Sequence, residues 1–198
     1  MKPGSLQLRQ GDVLLVVDVQ NDFLPGGALG VSGGDAIIPL LDGCGEKFDH
    51  CGLPVIASRD WHPPDHCSFR AQGGPWPAHC VAGTHGAELA ATLALPRQSA
   101  IVSKGTERER EAYSAFQDTD LAARLRHQHC RRLFIGGLAT DYCVRATALD
   151  ALNAGFEVVV LEDAVRAVDL QAGEGARALA ELVARGARLA RCEELRVA

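Results

Sequence analysis

One cysteine in this sequence stands at the start of a predicted helix, directly after a flexible stretch of backbone. Residues 136–155 read GGLATDYCVRATALDALNAG, so Cys143 follows two glycines and precedes a helical pattern that ends at Asn-Ala-Gly. Backbone N–H groups and the positive end of a helix dipole both stabilise a thiolate. We therefore expect Cys143 to be a nucleophile, and the turn before it to direct N–H groups at a carbonyl oxygen as an oxyanion hole.

Three more reactive side chains stand where apolar, strand-like stretches first meet a polar residue. Asp18 closes the apolar part of DVLLVVDVQ, Asp60 ends LPVIASRD and Lys104 ends SAIVSK. In parallel sheets ligands bind outside the carboxyl ends of the strands. There Asp18 can accept the thiol proton of the cysteine, while Lys104 favours the thiolate and orients the carboxylate. The sequence thus predicts a cysteine hydrolase site at this edge of the sheet.

A second group of candidate residues begins at Asp60 and continues into the Gly/Pro-rich segment 61–86. RDWHPPDHCSF contains Asp60, His62 and His66, and GPWPAHCV adds His79. Residues two apart in an extended chain point the same way, so Asp60 and His62 can bind one ion. A carboxylate with imidazoles and open positions suits catalytic Zn²⁺, Fe²⁺ or Mn²⁺. Two cysteines beside these histidines are alternative ligands, Cys67 and Cys80, although the paired sulfur spacing of a closed zinc site is missing.

Strand-like and helical patterns alternate along the chain, which predicts βαβ units and a mainly parallel sheet. The expected strands are 12–20, 53–60, 99–104, 131–138, 156–163 and 187–191. The expected helices are 35–51, 86–94, 118–129, one that opens at Cys143, and 171–185. The charged stretch GTERERE (105–111) is expected to be a solvated loop. At 198 residues the chain is expected to be a single domain, 1–198, in which residues 1–10 form an N-terminal extension.

The composition limits the binding partners and the cellular compartment that we expect for this protein. A net charge of −5 argues against nucleic acid or an anionic membrane as the main partner. No apolar run approaches the length of a membrane span, and MKPGSLQLRQ lacks the apolar stretch of a signal peptide. Seven cysteines without a CxxC pair then favour reduced thiols and a cytoplasmic location.

Five motifs together resemble the successive signatures of the nicotinamidases, which belong to the isochorismatase-like cysteine hydrolases. The motifs are DVQNDFLPGGALGV, SRDWHPPDHCSF, WPAHCVAGTHGAEL, KGTEREREAYSAF and GGLATDYCVRATALDAL. They run in the family's order from Asp18 to about residue 169, and so cover nearly the whole chain. The resemblance implies a single-domain, three-layer α/β/α fold with a six-stranded, mainly parallel sheet.

The resemblance also assigns roles to individual residues. It implies a catalytic triad of Asp18, Lys104 and Cys143. It implies metal ligands at Asp60, His62 and His79, with His66 as a fourth ligand or a close neighbour. The oxyanion hole falls on the backbone N–H groups of Ala139 and Cys143, beside a cis peptide bond between Leu138 and Ala139. The aromatic residues that stack on the substrate fall on Phe23, Trp76 and Tyr113.

The activity that the resemblance implies is metal-dependent hydrolysis of nicotinamide to nicotinate and ammonia through a thioester on Cys143. Pyrazinamide, which has a similar ring and carboxamide, is expected to be cleaved as well. The implied cofactor is one divalent ion, zinc first, with iron and manganese as alternatives. The partner is a small molecule, and assembly into a homo-oligomer is left open.

Three other functions are compatible with part of this pattern. An amidohydrolase for carbamoyl or ureido substrates keeps Asp, Lys and Cys, but such relatives generally lack the Asp-x-His metal loop. A phosphoacceptor receiver domain also has a strand-end Asp and Lys, but it needs an acidic Mg²⁺ cluster near the first strand and has no use for Cys143. An inactive metal-binding or scaffold protein with the same fold is the third alternative, which the complete triad disfavours.

Overall fold

A six-stranded sheet in which every strand pair is parallel forms the centre of the computed structural model, which describes residues 5–197. The strands are β1 (Leu6–Gln7), β2 (Asp12–Val17), β3 (Val55–Asp60), β4 (Ala100–Lys104), β5 (Arg132–Leu138), β6 (Glu157–Arg166), β7 (Arg188–Ala190) and β8 (Leu195–Arg196). The sheet order is β4-β3-β2-β5-β6-β7, and β1 and β8 form a separate parallel pair. The predicted six-stranded, mainly parallel sheet is therefore confirmed.

Helices cover both faces of this sheet, which confirms the three-layer arrangement. They are α1 (Ile38–His50), α2 (Leu121–His127), α3 (Arg145–Asn153) and α4 (Glu174–Ala184). Strand β2 shows why two cores form, because its side chains alternate between the faces. Leu14 and Val16 pack with α1 in one cluster, whereas Val13 and Leu15 pack with the other three helices in a second cluster. No helix within residues 5–197 is both long and apolar enough to cross a membrane.

The helix expected at 86–94 is wrong. Only a 3₁₀ turn, His85–Ala87, forms there, then Leu89 makes an isolated β-bridge with Gln20, and residues 91–92 form a turn. The N–H of Ala90 donates to the carbonyl of Val19, and the N–H of Asn21 donates to the carbonyl of Glu88. These bonds to the segment after β2 replace the intrahelical bonds, so tertiary pairing overrides the helical propensity of GAELAATLAL.

The active edge of the sheet is set by its strand order. The chain moves outward from β2 to β3 and β4, then returns to the other side of β2 to build β5, β6 and β7. Such a reversal leaves a crevice at the carboxyl ends of the strands on either side of it. Gly137 allows β5 to approach β2 there: its φ is +126°, and a Cβ at this position would lie 2.0 Å from the carbonyl oxygen of Val17.

The opposite edge of the sheet ties down part of the expected N-terminal extension. Residues 1–4 lie outside the described part of the chain, but Leu6–Gln7 pair with Leu195–Arg196. The buried side chain of Arg132 donates to both carboxylate oxygens of Asp12, at 2.9 and 2.6 Å, and to the carbonyl of Gln7. This short strand therefore belongs to the fold. The single-domain organisation of the whole chain stays a prediction.

Candidate active site

The three side chains of the predicted triad lie together at the carboxyl edge of the sheet. Asp18 directly follows β2 with a φ of +50°, which turns the chain out of the sheet, and Lys104 is the last residue of β4. Cys143 lies in a π-helical turn, Thr140–Val144, that joins β5 to α3. Lys104 Nζ is 2.9 Å from Asp18 Oδ2 and 3.5 Å from Cys143 Sγ, and all three side chains are buried.

Asp18 has one carboxylate oxygen that is ready to accept a proton. Its Oδ1 accepts a hydrogen bond from Ser58 Oγ at 2.7 Å. Its Oδ2 is buried and, within the described residues, accepts no well-directed hydrogen bond, although the Lys104 ammonium is close. Burial raises the pKa of Asp18, and the positive charge of Lys104 only partly opposes this rise. A carboxylate with a raised pKa is a better base for a thiol proton.

The surroundings of Cys143 disfavour its thiolate form. Burial raises the pKa of Cys143 well above its ordinary value, the Lys104 charge counteracts this in part, and the nearby Asp18 and Asp60 carboxylates raise it further. Burial thus outweighs the stabilisation of the thiolate that the position at the start of a helix was expected to give. A carboxylate oxygen of Asp18 lies within 4.8 Å of Cys143 Sγ, so Asp18 is positioned to receive the thiol proton.

Lys104 joins the triad to the second group of candidate residues. Its ammonium donates to Asp60 Oδ1 at 2.5 Å and to the carbonyl of Ala112 at 3.0 Å, in addition to its contact with Asp18. Burial alone lowers the pKa of Lys104, but the two carboxylates outweigh burial and raise the pKa well above its usual range. Lys104 is therefore a fixed positive charge between two buried carboxylates.

Asp60, His62 and His79 form the geometry of a metal site. One potential ligand atom from each residue lies within 4.8 Å of the other two. His62 Nδ1 is 2.8 Å from the carbonyl of Gly105, and His79 Nδ1 is 2.8 Å from the carbonyl of Pro77. Because a carbonyl oxygen can only accept, both Nδ1 atoms carry the proton and leave each Nε2 as a lone-pair donor. The donor set therefore fits a divalent metal ion.

His66 stays outside this group of ligand atoms. Its Nδ1 is 2.7 Å from Ser68 Oγ and its Nε2 is 2.9 Å from the carbonyl of Arg110, so both ring nitrogens are engaged. Its ring stacks on that of His62 with the centroids 4.1 Å apart. The structure thus places His66 as a neighbour that supports a ligand. The adjacent cysteines are also outside the group, Cys67 and Cys80.

The expected oxyanion hole has an available backbone donor. The peptide bond between Leu138 and Ala139 is cis, as the resemblance implies. Within the described residues the Ala139 N–H donates no hydrogen bond, whereas its carbonyl accepts from the N–H groups of Tyr142 and Val144. Ala139 and Cys143 line the same cavity. The N–H of Ala139 is therefore available to a ligand beside the sulfur.

A cavity opens onto Cys143 and onto two of the three potential metal ligands, Asp60 and His79. The three predicted aromatic residues line it, Phe23, Trp76 and Tyr113. The indole N–H of Trp76 donates to the Tyr113 hydroxyl at 2.9 Å, which fixes both rings. The remaining lining residues that the sequence analysis did not identify are Leu29, Val31, Glu111, Tyr142 and Val168. A flat, largely apolar ring with one polar group fits such a cavity.

Tyr142 is the aromatic residue that the sequence could have indicated, since it directly precedes the nucleophile in DYC. Its ring packs edge-on against Trp76, with the centroids 5.2 Å apart, and at a tilt against Tyr113, with the centroids 5.7 Å apart. The three rings together form one wall of the cavity.

Gln20 is a further site residue that the sequence analysis missed. Its side-chain amide accepts from the N–H of Asp60 at 2.7 Å and donates to the carbonyl of Asp60 at 2.8 Å, so it pairs with this backbone as a neighbouring strand would. The same amide nitrogen donates to the carbonyl of Ala87 at 2.9 Å. Gln20 therefore fixes the end of β3, from which the Asp60 carboxylate projects.

Replacing Gln20 with glutamate keeps its shape but removes both donated hydrogen bonds. A buried carboxylate would then face the carbonyl oxygens of Asp60 and Ala87, and we expect the free energy of unfolding to fall by at least about 2 kcal/mol. Urea unfolding measures this, with the exposed Gln72→Glu as the matched control. Equal stability of the two variants would contradict the positioning role of Gln20.

Comparisons with known proteins show which family the chain resembles in sequence and fold. The family model described as "Isochorismatase domain" matches residues 12–194. A nicotinamidase of Acinetobacter baylyi is 39% identical, over 92% of this chain and 94% of its own length. The crystal structure of the pyrazinamidase of Pyrococcus horikoshii in complex with zinc has a TM-score of 0.88 at 50% identity, covering 91% of this chain and 99% of that one.

A second solved structure, PnC1 from L. infantum in complex with nicotinate, is equally similar in fold. Its TM-score is 0.88 at 41% identity, and it covers 97% of this chain and 98% of that one. The similarity to these proteins thus extends over nearly the whole length of the chain.

Proposed function

This chain belongs to the isochorismatase domain family, and we propose that within this family it is an amidohydrolase that converts nicotinamide to nicotinate and ammonia. The observation that carries the proposal is a single cavity onto which Cys143 and the pair Asp60 and His79 both open. One end can attack a carboxamide and the other can hold a ring nitrogen. The nicotinamidase and pyrazinamidase relatives support the same substrate class.

Asp60, His62 and His79 would hold a divalent ion, and zinc is the ion that we propose. Two imidazoles and a carboxylate leave open coordination positions, as catalytic zinc sites do. The zinc complex of the pyrazinamidase relative supports this choice over iron or manganese. When bound, the ion would supply a Lewis acid that can accept the pyridine nitrogen of the substrate.

In the acylation step Asp18 accepts the thiol proton while Cys143 Sγ attacks the carboxamide carbon. The oxyanion that forms is stabilised by the backbone N–H groups of Ala139 and Cys143. Asp18 then returns the proton to the departing nitrogen, ammonia leaves, and a thioester remains on Cys143. Lys104 keeps its charge throughout and holds the Asp18 carboxylate in place.

In the deacylation step water attacks the thioester carbon, with Asp18 accepting its proton. The carbon–sulfur bond breaks, Cys143 recovers the proton, and nicotinate is released. The aromatic wall of Trp76, Tyr113 and Tyr142 keeps the ring in one plane over the sulfur. The same steps apply to pyrazinamide, which we expect to be a substrate.

The carbamoyl and ureido alternative is less well supported by the arrangement of side chains. It accounts for the triad of Asp18, Lys104 and Cys143, but it does not explain why potential metal-ligand atoms of His62 and His79 lie close together. A receiver domain is a different class of protein from the family to which the chain belongs. Substrate hydrolysis distinguishes the remaining possibilities, including an inactive member of the family.

Ammonia release from nicotinamide is the first test, before and after chelation and with zinc restored. We expect ammonia release to stop on chelation and to return with zinc, because the ring nitrogen of the substrate would lose and regain its binding partner. The variant His79→Ala should weaken zinc binding by more than about 100-fold. The exposed His85→Ala is the matched control and should behave as the unmodified protein.

Two results would count against parts of this proposal. No release by the zinc-loaded protein would refute the nicotinamidase function and direct attention to carbamoyl and ureido substrates. If ammonia release were unchanged after verified metal removal, the cysteine mechanism would still be supported, but the role of the metal in positioning the ring would be refuted.

A further inference from the structure

One half-buried carboxylate beside the cavity joins two segments of the candidate site. Asp22 directly precedes Phe23, which lines the cavity. The Oδ2 atom of Asp22 accepts the N–H of Cys80 at 2.7 Å, and its Oδ1 atom accepts the N–H of Ala28 at 3.3 Å. A single side chain therefore connects the segment that follows β2 with the segment that carries His79.

The segment that follows β2 forms one wall of the cavity through Phe23, Leu29 and Val31. Main-chain hydrogen bonds close this segment on itself. The N–H of Leu29 donates to the carbonyl of Asp22, and the N–H of Val31 donates to the carbonyl of Phe23, both at 2.9 Å. The Phe23 ring lies against the His79 ring, with the centroids 5.7 Å apart. The position of this wall is thus coupled to the position of a potential metal ligand.

The segment that carries His79 contains an unusual backbone conformation at the next residue, Cys80. The φ of Cys80 is +46°, in the left-handed region that residues with a side chain seldom adopt. Its N–H is held by the Asp22 carboxylate, and its carbonyl accepts the N–H of His62 at 3.0 Å. Because His79 and Cys80 are adjacent, a change in this conformation would move the His79 imidazole. The bond from Asp22 therefore stabilises the backbone on which two potential metal ligands depend.

The main chain leaves room for this carboxylate at Gly86. A Cβ atom at this position would overlap both carboxylate oxygens of Asp22. Gly86 lies in the 3₁₀ turn His85–Ala87 and is itself only half-buried. An alanine at position 86 would therefore push the carboxylate away from the N–H of Cys80 without removing it from the chain.

We infer that Asp22 is a positioning residue, which holds His79 beside Asp60 and His62 for a divalent ion and keeps the Phe23 wall against the substrate ring. The part that concerns the substrate rests on the proposed function. Asp22 acts through the hydrogen bonds that it accepts from the backbone, and it takes no part in the transfer of protons. It contributes to the affinity for metal and substrate, whereas the catalytic triad is held by other contacts.

The test measures zinc affinity by competition with a chelator, and measures kcat and KM for nicotinamide with zinc in excess. In Asp22→Ala we expect the zinc affinity to fall by at least about tenfold and KM to rise by a similar factor. The value of kcat should change by less than about threefold, because Asp22 does not contact the triad. The exposed Asp35→Ala is the matched control and should behave as the unmodified protein.

Two further variants distinguish the bond to Cys80 from the negative charge of Asp22. Asp22→Asn keeps an oxygen that can accept the N–H of Cys80, so it should recover most of the zinc affinity that the alanine variant loses. Gly86→Ala keeps the charge but displaces the carboxylate, so it should weaken zinc binding as Asp22→Ala does. Combined with Asp22→Ala, it should cost little more, because the two changes break the same contact.

The outcomes separate this inference from the proposed function. Unchanged zinc affinity and KM in Asp22→Ala would overturn the role of Asp22 while nicotinamide cleavage stands. Asp22→Asn as impaired as Asp22→Ala would overturn it as well, since charge alone would then matter. Weaker zinc binding in Asp22→Ala, together with no cleavage of nicotinamide by the unmodified protein, would support the positioning of His79 and refute the proposed function.

The inference stays testable if Asp22→Ala does not fold. The comparison is then between Gly86→Ala and Asp22→Asn. Weaker zinc binding in Gly86→Ala alone would support the role of the bond between Asp22 and Cys80. Equal zinc binding by these two variants would overturn it.

Discussion

Replacement of Cys143 with alanine is expected to lower nicotinamide hydrolysis by at least about a thousandfold. The variant has no sulfur to attack the carboxamide, whereas Asp18 and the backbone donors remain. Alanine leaves only a small gap beside Lys104, so the metal ligands should keep their positions. Ammonia release measures the loss, and zinc content measured on the same sample shows whether the site is otherwise intact.

The matched control is Cys67→Ala, because Cys67 adjoins His66 but lies outside the cavity lining. This variant should retain hydrolysis close to that of the unmodified protein. Substantial turnover by a verified Cys143→Ala protein would reject covalent catalysis. It would leave direct attack by water as the route.

Replacement of Lys104 with methionine is expected to lower the free energy of unfolding by about 3 kcal/mol or more. Methionine fills a similar volume, but it leaves the Asp18 and Asp60 carboxylates buried without their shared positive charge. Hydrolysis should fall as well, since Asp18 loses the group that holds it. Urea unfolding in the presence of a chelator measures the stability, because a bound metal would otherwise partly neutralise Asp60.

Two further variants serve as controls for the Lys104→Met result. Lys47→Met removes a half-buried lysine that donates to the carbonyl of Cys192 at 2.8 Å, and it should cost much less. The double variant Asp18→Asn, Lys104→Met should recover part of the stability, because one unpaired carboxylate is gone. If Lys104→Met were as stable as Lys47→Met, the buried charges would not be coupled as the distances indicate.

The position of the site was predictable because it follows from sheet topology. Asp18, Asp60 and Lys104 each stand where an apolar stretch ends, and parallel strands bring their carboxyl ends to one edge. Asp60 and Lys104 are even register partners across β3 and β4. Local pattern and strand direction therefore sufficed to bring these three side chains together.

What the sequence did not reveal depends on contacts between distant parts of the chain. The side-chain amide of Gln20 hydrogen-bonds to the backbone of Asp60, which is 40 positions away in the sequence. No local sequence pattern identifies a side chain that pairs with a strand in this way. The extended course of 88–90 arises from bonds to 19–21, against the local propensity. Burial raises the pKa of Cys143, and a position at the start of a helix does not indicate this burial.

The charged stretch 105–111 most clearly illustrates the difference between what local sequence pattern predicts and what distant contacts determine. Its side chains from Glu107 to Arg110 are exposed, as expected of a solvated loop. Its backbone, however, belongs to the interior. The carbonyls of Gly105, of Arg110 and of Ala112, which directly follows the stretch, contact His62, His66 and Lys104 respectively. Three site residues are thus oriented by main-chain atoms in and directly after a segment in which the side chains from Glu107 to Arg110 are exposed.

The consequence is that this segment constrains the spacing of residues more than their identity. Any residue provides a carbonyl oxygen, so most exchanges among Glu107, Arg108 and Glu109 leave the three contacts in place. Inserting or deleting one residue between Gly105 and Ala112 would shift the carbonyls out of register with the imidazoles and the ammonium. The length of the loop sets the positions of these carbonyls. A change in its length would therefore disturb the active site, even where a change in its charge would not.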